Sequence, residues 1–99
     1  MDRELATHAA EVLKAVAHPL RLMIVEVLQG GERSVGEIMD AIGEKQAITS
    51  QQLNLMKARG VLATRREGAK VFYHIQNLNV IRVLDCVYDH CTPRKKTRR

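Results

Sequence analysis

The sequence has no tryptophan, one phenylalanine and two tyrosines, so any core must be aliphatic. It has two cysteines, Cys86 and Cys91, too few for a disulfide framework; in a reducing compartment they are thiols. No apolar run approaches the length of a membrane span. The N-terminal stretch MDRELATHAAEVLK is polar from its second residue and shows no signal-peptide core, which makes the cytoplasm the expected location. No nucleophile–base pair, glycine-rich phosphate loop or pair of carboxylates stands out, and Ser50 lacks a base partner at motif spacing. Neither an enzyme nor a cofactor is expected. No internal repeat is visible.

What remains is small and unevenly charged. The 99 residues suffice for one domain. A chain this short buries a modest fraction of its surface, and self-association is a common way to bury more. The net charge is +5, yet the last seven residues, PRKKTRR, hold five basic groups and no acid, so the 92 residues before them are neutral. That division predicts a folded domain over residues 1–92 and a disordered basic tail over 93–99. Within the neutral part the signs separate. Residues 1–43 carry a net −3, and residues 44–70 a net +4.

Apolar spacing supplies the elements. Leu5, Ala9, Val12, Leu13 and Val16 form one helical stripe over residues 3–17. His18-Pro19 ends it, because the residue before proline disfavours helical angles. Pro19 suits the first turn of a second helix, in which Leu20, Met23, Ile24, Val27 and Leu28 face one way until Gly30-Gly31. Ser34-Val35-Gly36-Glu37 reads as a capping box that starts a helix over 35–42, burying Val35, Ile38, Met39 and Ile42 and closed by Gly43. Another helix covers 46–59 and ends at Gly60. Residues 61–66 and 70–75 are β-prone and flank Glu67-Gly68-Ala69, a hairpin signal. Val80, Val83, Leu84, Val87, Tyr88 and Cys91 form a last stripe over 79–91. The expected fold is mainly α with a small β-hairpin, in the order α-α-α-α-β-β-α. The first and last helices have wide apolar faces for so small a domain. They are expected to pair with a second copy; the alternative is that both stripes face only their own core.

Helices 35–42 and 46–59, joined by a short glycine-containing turn, have helix-turn-helix dimensions. In that motif the N-terminal part of the second helix meets base edges in the major groove of double-stranded DNA. Gln46, Ala47, Thr49, Ser50, Gln51 and Gln52 stand there. Glutamine can pair bidentately with adenine, and Thr or Ser can address several bases or a phosphate. Lys57 and Arg59 suit phosphate. Arg65, Arg66 and Lys70 surround the hairpin tip, as expected of a wing that touches the DNA backbone or minor groove. Each signal is weak alone; capped helix, tight turn, polar helix and basic hairpin occurring in succession are not.

Residues 12–91 resemble the ArsR/SmtB family of winged-helix repressors. The resemblance lies in LKAVAHPLRLMIVEVL, GERSVGEI and SQQLNLMKARGVLATRREGAKVFYHI. It implies a homodimer joined by its first and last helices that binds an inverted-repeat operator and, in most members, lets go when an inducer binds. It places Gln46, Ala47, Thr49, Ser50, Gln51 and Gln52 on DNA-reading positions. This chain departs from the family there: histidine often stands at position 52 and serine at 45 and 47, and Ile48-Thr49 inverts the usual small-then-apolar pair.

The implied signal is less direct. Metal-sensing members place ligands in the second or third helix, or across paired last helices. Here no cysteine precedes residue 86. Where a zinc site would begin with Asp-x-His the chain has Asn77-Leu78-Asn79, and asparagine is a poor transition-metal ligand. GERSVGE and TRREG look more like the sulfide- and persulfide-sensing branch, in which a second-helix cysteine pairs with one near the end of the last helix. Cys91 matches the latter, but the former falls on Glu26. Cys86 and Cys91 are five residues apart, about 7.5 Å of rise and 140° of net rotation on a helix. They can bond only across a dimer or after the helix end frays, since a disulfide needs Cα atoms within about 7 Å. Cys91 sits on the apolar stripe, where a cysteine is usually a small buried hydrophobe; Cys86 lies off it. Three readings stay open: a repressor released by oxidation or persulfidation at Cys86 or Cys91, a metal-responsive repressor using Cys86 and His90, or a winged-helix protein-interaction module. His8, His18 and His74 read singly as structural or surface groups.

Overall fold

A computed structural model describes residues 1–91; the expected basic tail, 93–99, lies outside the described residues. Eight elements follow one another: α1 (Arg3–Val16), α2 (Pro19–Gln29), β1 (Arg33–Ser34), α3 (Val35–Ile42), α4 (Gln46–Ala58), β2 (Leu62–Glu67), β3 (Lys70–Ile75) and α5 (Asn79–His90). The expected α-α-α-α-β-β-α order is therefore present, with one addition. β1 is a two-residue strand that pairs antiparallel with β3, Arg33 opposite Tyr73 and Ser34 opposite Phe72. It makes the hairpin a three-stranded sheet in the order β1-β3-β2.

Local chemistry sets the boundaries. Asp2 caps α1, its Oδ1 accepting from the Leu5 N–H at 2.7 Å. His18 caps α2, its Nδ1 accepting from the Leu20 N–H at 3.1 Å, with Pro19 next in line. The expected capping box at α3 is complete: Glu37 N–H donates to Ser34 Oγ (3.3 Å) and Ser34 N–H to Glu37 Oε1 (2.9 Å). Gly43, in the left-handed region at φ 72°, lets its N–H reach the Met39 carbonyl at 2.8 Å. In the hairpin, Gly68 (φ 62°) and Ala69 form a two-residue turn, so β2 lies one residue later than the expected 61–66, whereas β3 has the expected limits.

The core joins all the helices and the sheet. It contains Ala15 and Val16 of α1, Ile24, Val25 and Leu28 of α2, Ile38 and Ile42 of α3, Leu53 and Met56 of α4, Val61 before the sheet, Leu62, Tyr73, and Val80 and Leu84 of α5. On α2 the inward face is turned from the expected one: Val25 is buried and Met23 exposed. The stripe on α1 is divided. Val12 and Val16 pack inward, whereas Leu5 and Leu13 are 54% and 53% exposed. On α5 burial ends with Leu84, and the following turns are half-buried or exposed. The outer parts of both stripes thus face away from this chain's own core, as a surface meant for another copy would. No helix among the described residues is long and apolar enough to cross a membrane.

Candidate nucleic-acid interface

The helix-turn-helix is built on a rigid first half. α3 is closed at its N-terminus by the capping box and at its C-terminus by Gly43, and it pins Ile38 and Ile42 into the core. The Ser34 backbone N–H holds the Glu37 carboxyl below its ordinary value. α4 follows after Gly43-Glu44-Lys45. Its N-cap, Lys45, makes no side-chain cap hydrogen bond, and its first turn holds no acid. The free N–H groups and positive dipole end of α4 are thus joined by a lysine, a combination that attracts anions.

The α4 core stripe is Thr49, Leu53 and Met56. This corrects the sequence reading of Thr49. It is 0% exposed, so its side chain points into the core and offers nothing to DNA. Its Oγ1 has no hydrogen-bond partner among the described residues. The Ile48-Thr49 inversion explains the error: the apolar residue is turned outward, 38% exposed, and the polar one inward. Of the other expected readers, Gln46, Ala47 and Gln51 are exposed and Ser50 is half-buried. Gln52 is half-buried, and its Oε1 accepts a hydrogen bond from Arg21 Nε at 2.9 Å. Lys57 and Arg59 are exposed near the far end of the helix.

The wing is less uniformly basic than its sequence. Arg65 Nε reaches both oxygens of Glu32, at 3.1 and 3.2 Å, and Nη1 lies 3.2 Å from Glu67. Its guanidinium sits 5.0 Å from the centre of the Phe72 ring. The hydrogen bond from Arg65 lowers the Glu32 carboxyl below its usual range, and the bonds to Glu32 and Glu67 raise Arg65. Arg65 therefore ties β2 to the turn before β1, and its charge is already matched. Arg66 and Lys70, exposed beside the tip, make no ion pair among the described residues. The contacts that sequence reasoning missed, Glu32 with Arg65 and Arg21 with Gln52, span 33 and 31 residues; no local signal announces them.

The proposed sensor region lies on α5. Cys86 and Cys91 are free and exposed. For Cys91 this corrects the buried-hydrophobe reading within one chain: the helix outruns its own core, and Cys91 caps its end with an N–H to the Val87 carbonyl (2.8 Å). Glu26, where the dithiol branch would have its other cysteine, accepts a hydrogen bond from the Tyr88 hydroxyl. So α2 and α5 are linked there by an acid and a phenol. No group of three or more His, Cys, Asp or Glu residues that could hold a metal occurs among the described residues.

Comparison with known proteins agrees with this geometry. The family model described as "Bacterial regulatory protein, arsR family" matches residues 18–64. The biofilm growth-associated repressor of Agrobacterium fabrum is 37% identical over 91 residues, covering 91% of this chain and 78% of that protein. The crystal structure of the transcriptional repressor BigR from Xylella fastidiosa superposes with a TM-score of 0.85 at 35% identity, over 95% of this chain and all of that one. A homodimeric winged helix-turn-helix DNA-binding domain from Mycobacterium bovis, described as a possible ArsR-family regulator, gives a TM-score of 0.78 at 34% identity, over 92% and 86% of the two chains.

Proposed function

The chain belongs to the ArsR family of bacterial regulatory proteins, and from that premise we propose that it is a DNA-binding transcriptional repressor acting as a homodimer on an inverted-repeat operator. The observation that carries the reading is the open N-terminus of α4, with exposed Gln46, Ala47 and Gln51 on its first turns and Lys45 at its cap. Gln46 and Gln51 read base edges, Ala47 makes an apolar contact, and Ser50 reaches a base or a phosphate from its half-buried place. Lys57, Arg66 and Lys70 neutralise phosphate. Arg65 shapes the wing first and contacts DNA only by exchanging Glu32 for a phosphate. The unburied halves of the α1 and α5 stripes, Leu5 and Leu13 on one and Tyr88 on the other, pair the two copies. Two-fold symmetry then requires half-sites about 34–36 Å apart, one turn of DNA.

The exposure of Cys86 and Cys91 supports release of DNA by thiol oxidation or persulfidation. The test joins both parts. DNA selected from a random pool by the purified protein should contain two inverted half-sites, and polysulfide should release it. Cys86→Ser and Cys91→Ser variants that release normally under polysulfide rule out the thiol signal. A wild type that selects no repeated motif rules out the operator reading.

A further inference from the structure

Arg21 stands on the first turn of α2 and touches two other helices. Its Nη1 donates to the Lys14 carbonyl at 2.7 Å, and its Nε donates to Gln52 Oε1 at 2.9 Å. Lys14 lies in the last turn of α1, where its carbonyl also accepts the Ala17 N–H at 3.3 Å and a positive charge is favourable. One planar guanidinium therefore joins the end of α1 to the middle of α4. The Arg21–Gln52 arm of this strut is half-buried, which limits competition from water, whereas the Lys14 end is exposed.

The chemistry of the strut decides what Gln52 can do. Arginine only donates, so the Gln52 amide must turn its oxygen to Arg21. Its carbonyl oxygen keeps a second lone pair, but the bond to Arg21 orients the amide and any further donor must share that oxygen. A bidentate pair with adenine needs that oxygen as acceptor and the amide nitrogen as donor together. Helical phase agrees: at about 100° per residue Gln52 lies about 60° from the inward direction of Thr49, whereas Gln51 lies about 160° from it.

We propose that Gln52 is a positioning residue and not a base reader, and that the Lys14–Arg21–Gln52 strut fixes the reading helix relative to α1. This rests on the functional reading above, in which α1 contributes to the dimer interface. Fixing α4 against a dimer helix fixes the distance and rotation between the two reading helices. Those quantities must match the spacing of the half-sites. One base pair of extra spacing moves a half-site by about 3.4 Å and rotates it by about a tenth of a turn. A rigid strut makes that mismatch costly; a broken one lets each α4 adjust.

The experiment compares wild type, Gln52→Met, Gln52→Glu and Arg21→Lys on the operator that wild type selects. Each is measured against operators with one base pair added or removed between half-sites, and against single-base changes within a half-site. Gln52→Met removes the acceptor at similar size, and Arg21→Lys keeps the charge but not the two-armed geometry. Both should keep the wild-type ranking of bases while losing about tenfold of the preference for native spacing, the factor set by one hydrogen bond to a charged group. Gln52→Glu restores an acceptor and should restore the spacing preference. Altered base preference in Gln52→Met would make Gln52 a reader and overturn the proposal. Unchanged spacing preference in both Gln52→Met and Arg21→Lys would overturn it as well. A wild type with no inverted-repeat preference fails at the first step, and it is the functional reading that then falls, taking the strut's role with it.

Discussion

The two helices of the reading motif are finished differently. α3 has a reciprocal cap at one end, a left-handed glycine at the other and two core isoleucines between. α4 begins without a side-chain cap, carries no acid in its first turn, and buries a hydroxyl with no partner among the described residues. α3 is built for stability, and α4 gives some of it up at its N-terminus and at Thr49. The open N-terminus has a use, since uncapped N–H groups beside a lysine suit phosphate. The orphaned hydroxyl has none that the structure reveals.

That contrast can be broken at several points. The largest effect should come from the α3 core. Ile38 is fully buried, and Ile38→Ala should destabilise by about 2–5 kcal/mol, read from urea unfolding. Ser34→Ala should cost about 1 kcal/mol by opening the capping box. Removing the acid instead, in Glu37→Gln, should give a cost that depends on pH, because the residue-34 backbone N–H that holds the carboxyl low survives in Ser34→Ala. The folded-state Glu37 carboxyl is held below the ordinary 4.5, so its contribution is complete above that value and is lost as pH falls through the lowered one. Unfolding midpoints of wild type and Glu37→Gln should therefore converge in acid, where the wild-type carboxyl is protonated; a gap that stays constant would deny the capping box its electrostatic part.

In α4 the signs reverse. Thr49→Val keeps the shape and removes the unpaired hydroxyl, and should stabilise by about 1 kcal/mol without changing DNA affinity. A loss of sequence preference in that variant would return Thr49 to the reading set. Lys45→Ser should add a cap and stabilise by about 0.5 kcal/mol, yet weaken binding to all DNA sequences alike and lower the salt slope by about one unit. Tighter binding would show that the helix end is not a phosphate contact.

Much of this was legible in the chain. Capping residues, glycines and apolar spacing are local signals, and they gave five helices and a hairpin in the right order. β1 was invisible because two residues have no period; Arg33 and Ser34 are a strand only by pairing with β3. The reading face was partly legible. Gln46, Ala47 and Gln51 are where helical spacing puts them, but Thr49 and Ile48 exchange places, and only the phase of the buried stripe reveals it. Arg65 and Gln52 looked available because charge and polarity are visible in sequence, whereas their partners Glu32 and Arg21 are distant in the chain.

The most direct test of the account is selection of DNA from a random pool by wild type, Gln51→Ala and a Arg66→Ala/Lys70→Ala double variant. The account predicts an inverted repeat for wild type, altered base preference within the half-site for Gln51→Ala, and the wild-type motif at lower affinity for the wing variant. Selection of the same motif by Gln51→Ala, or a new base preference in the wing variant, would contradict the division of labour between α4 and the wing.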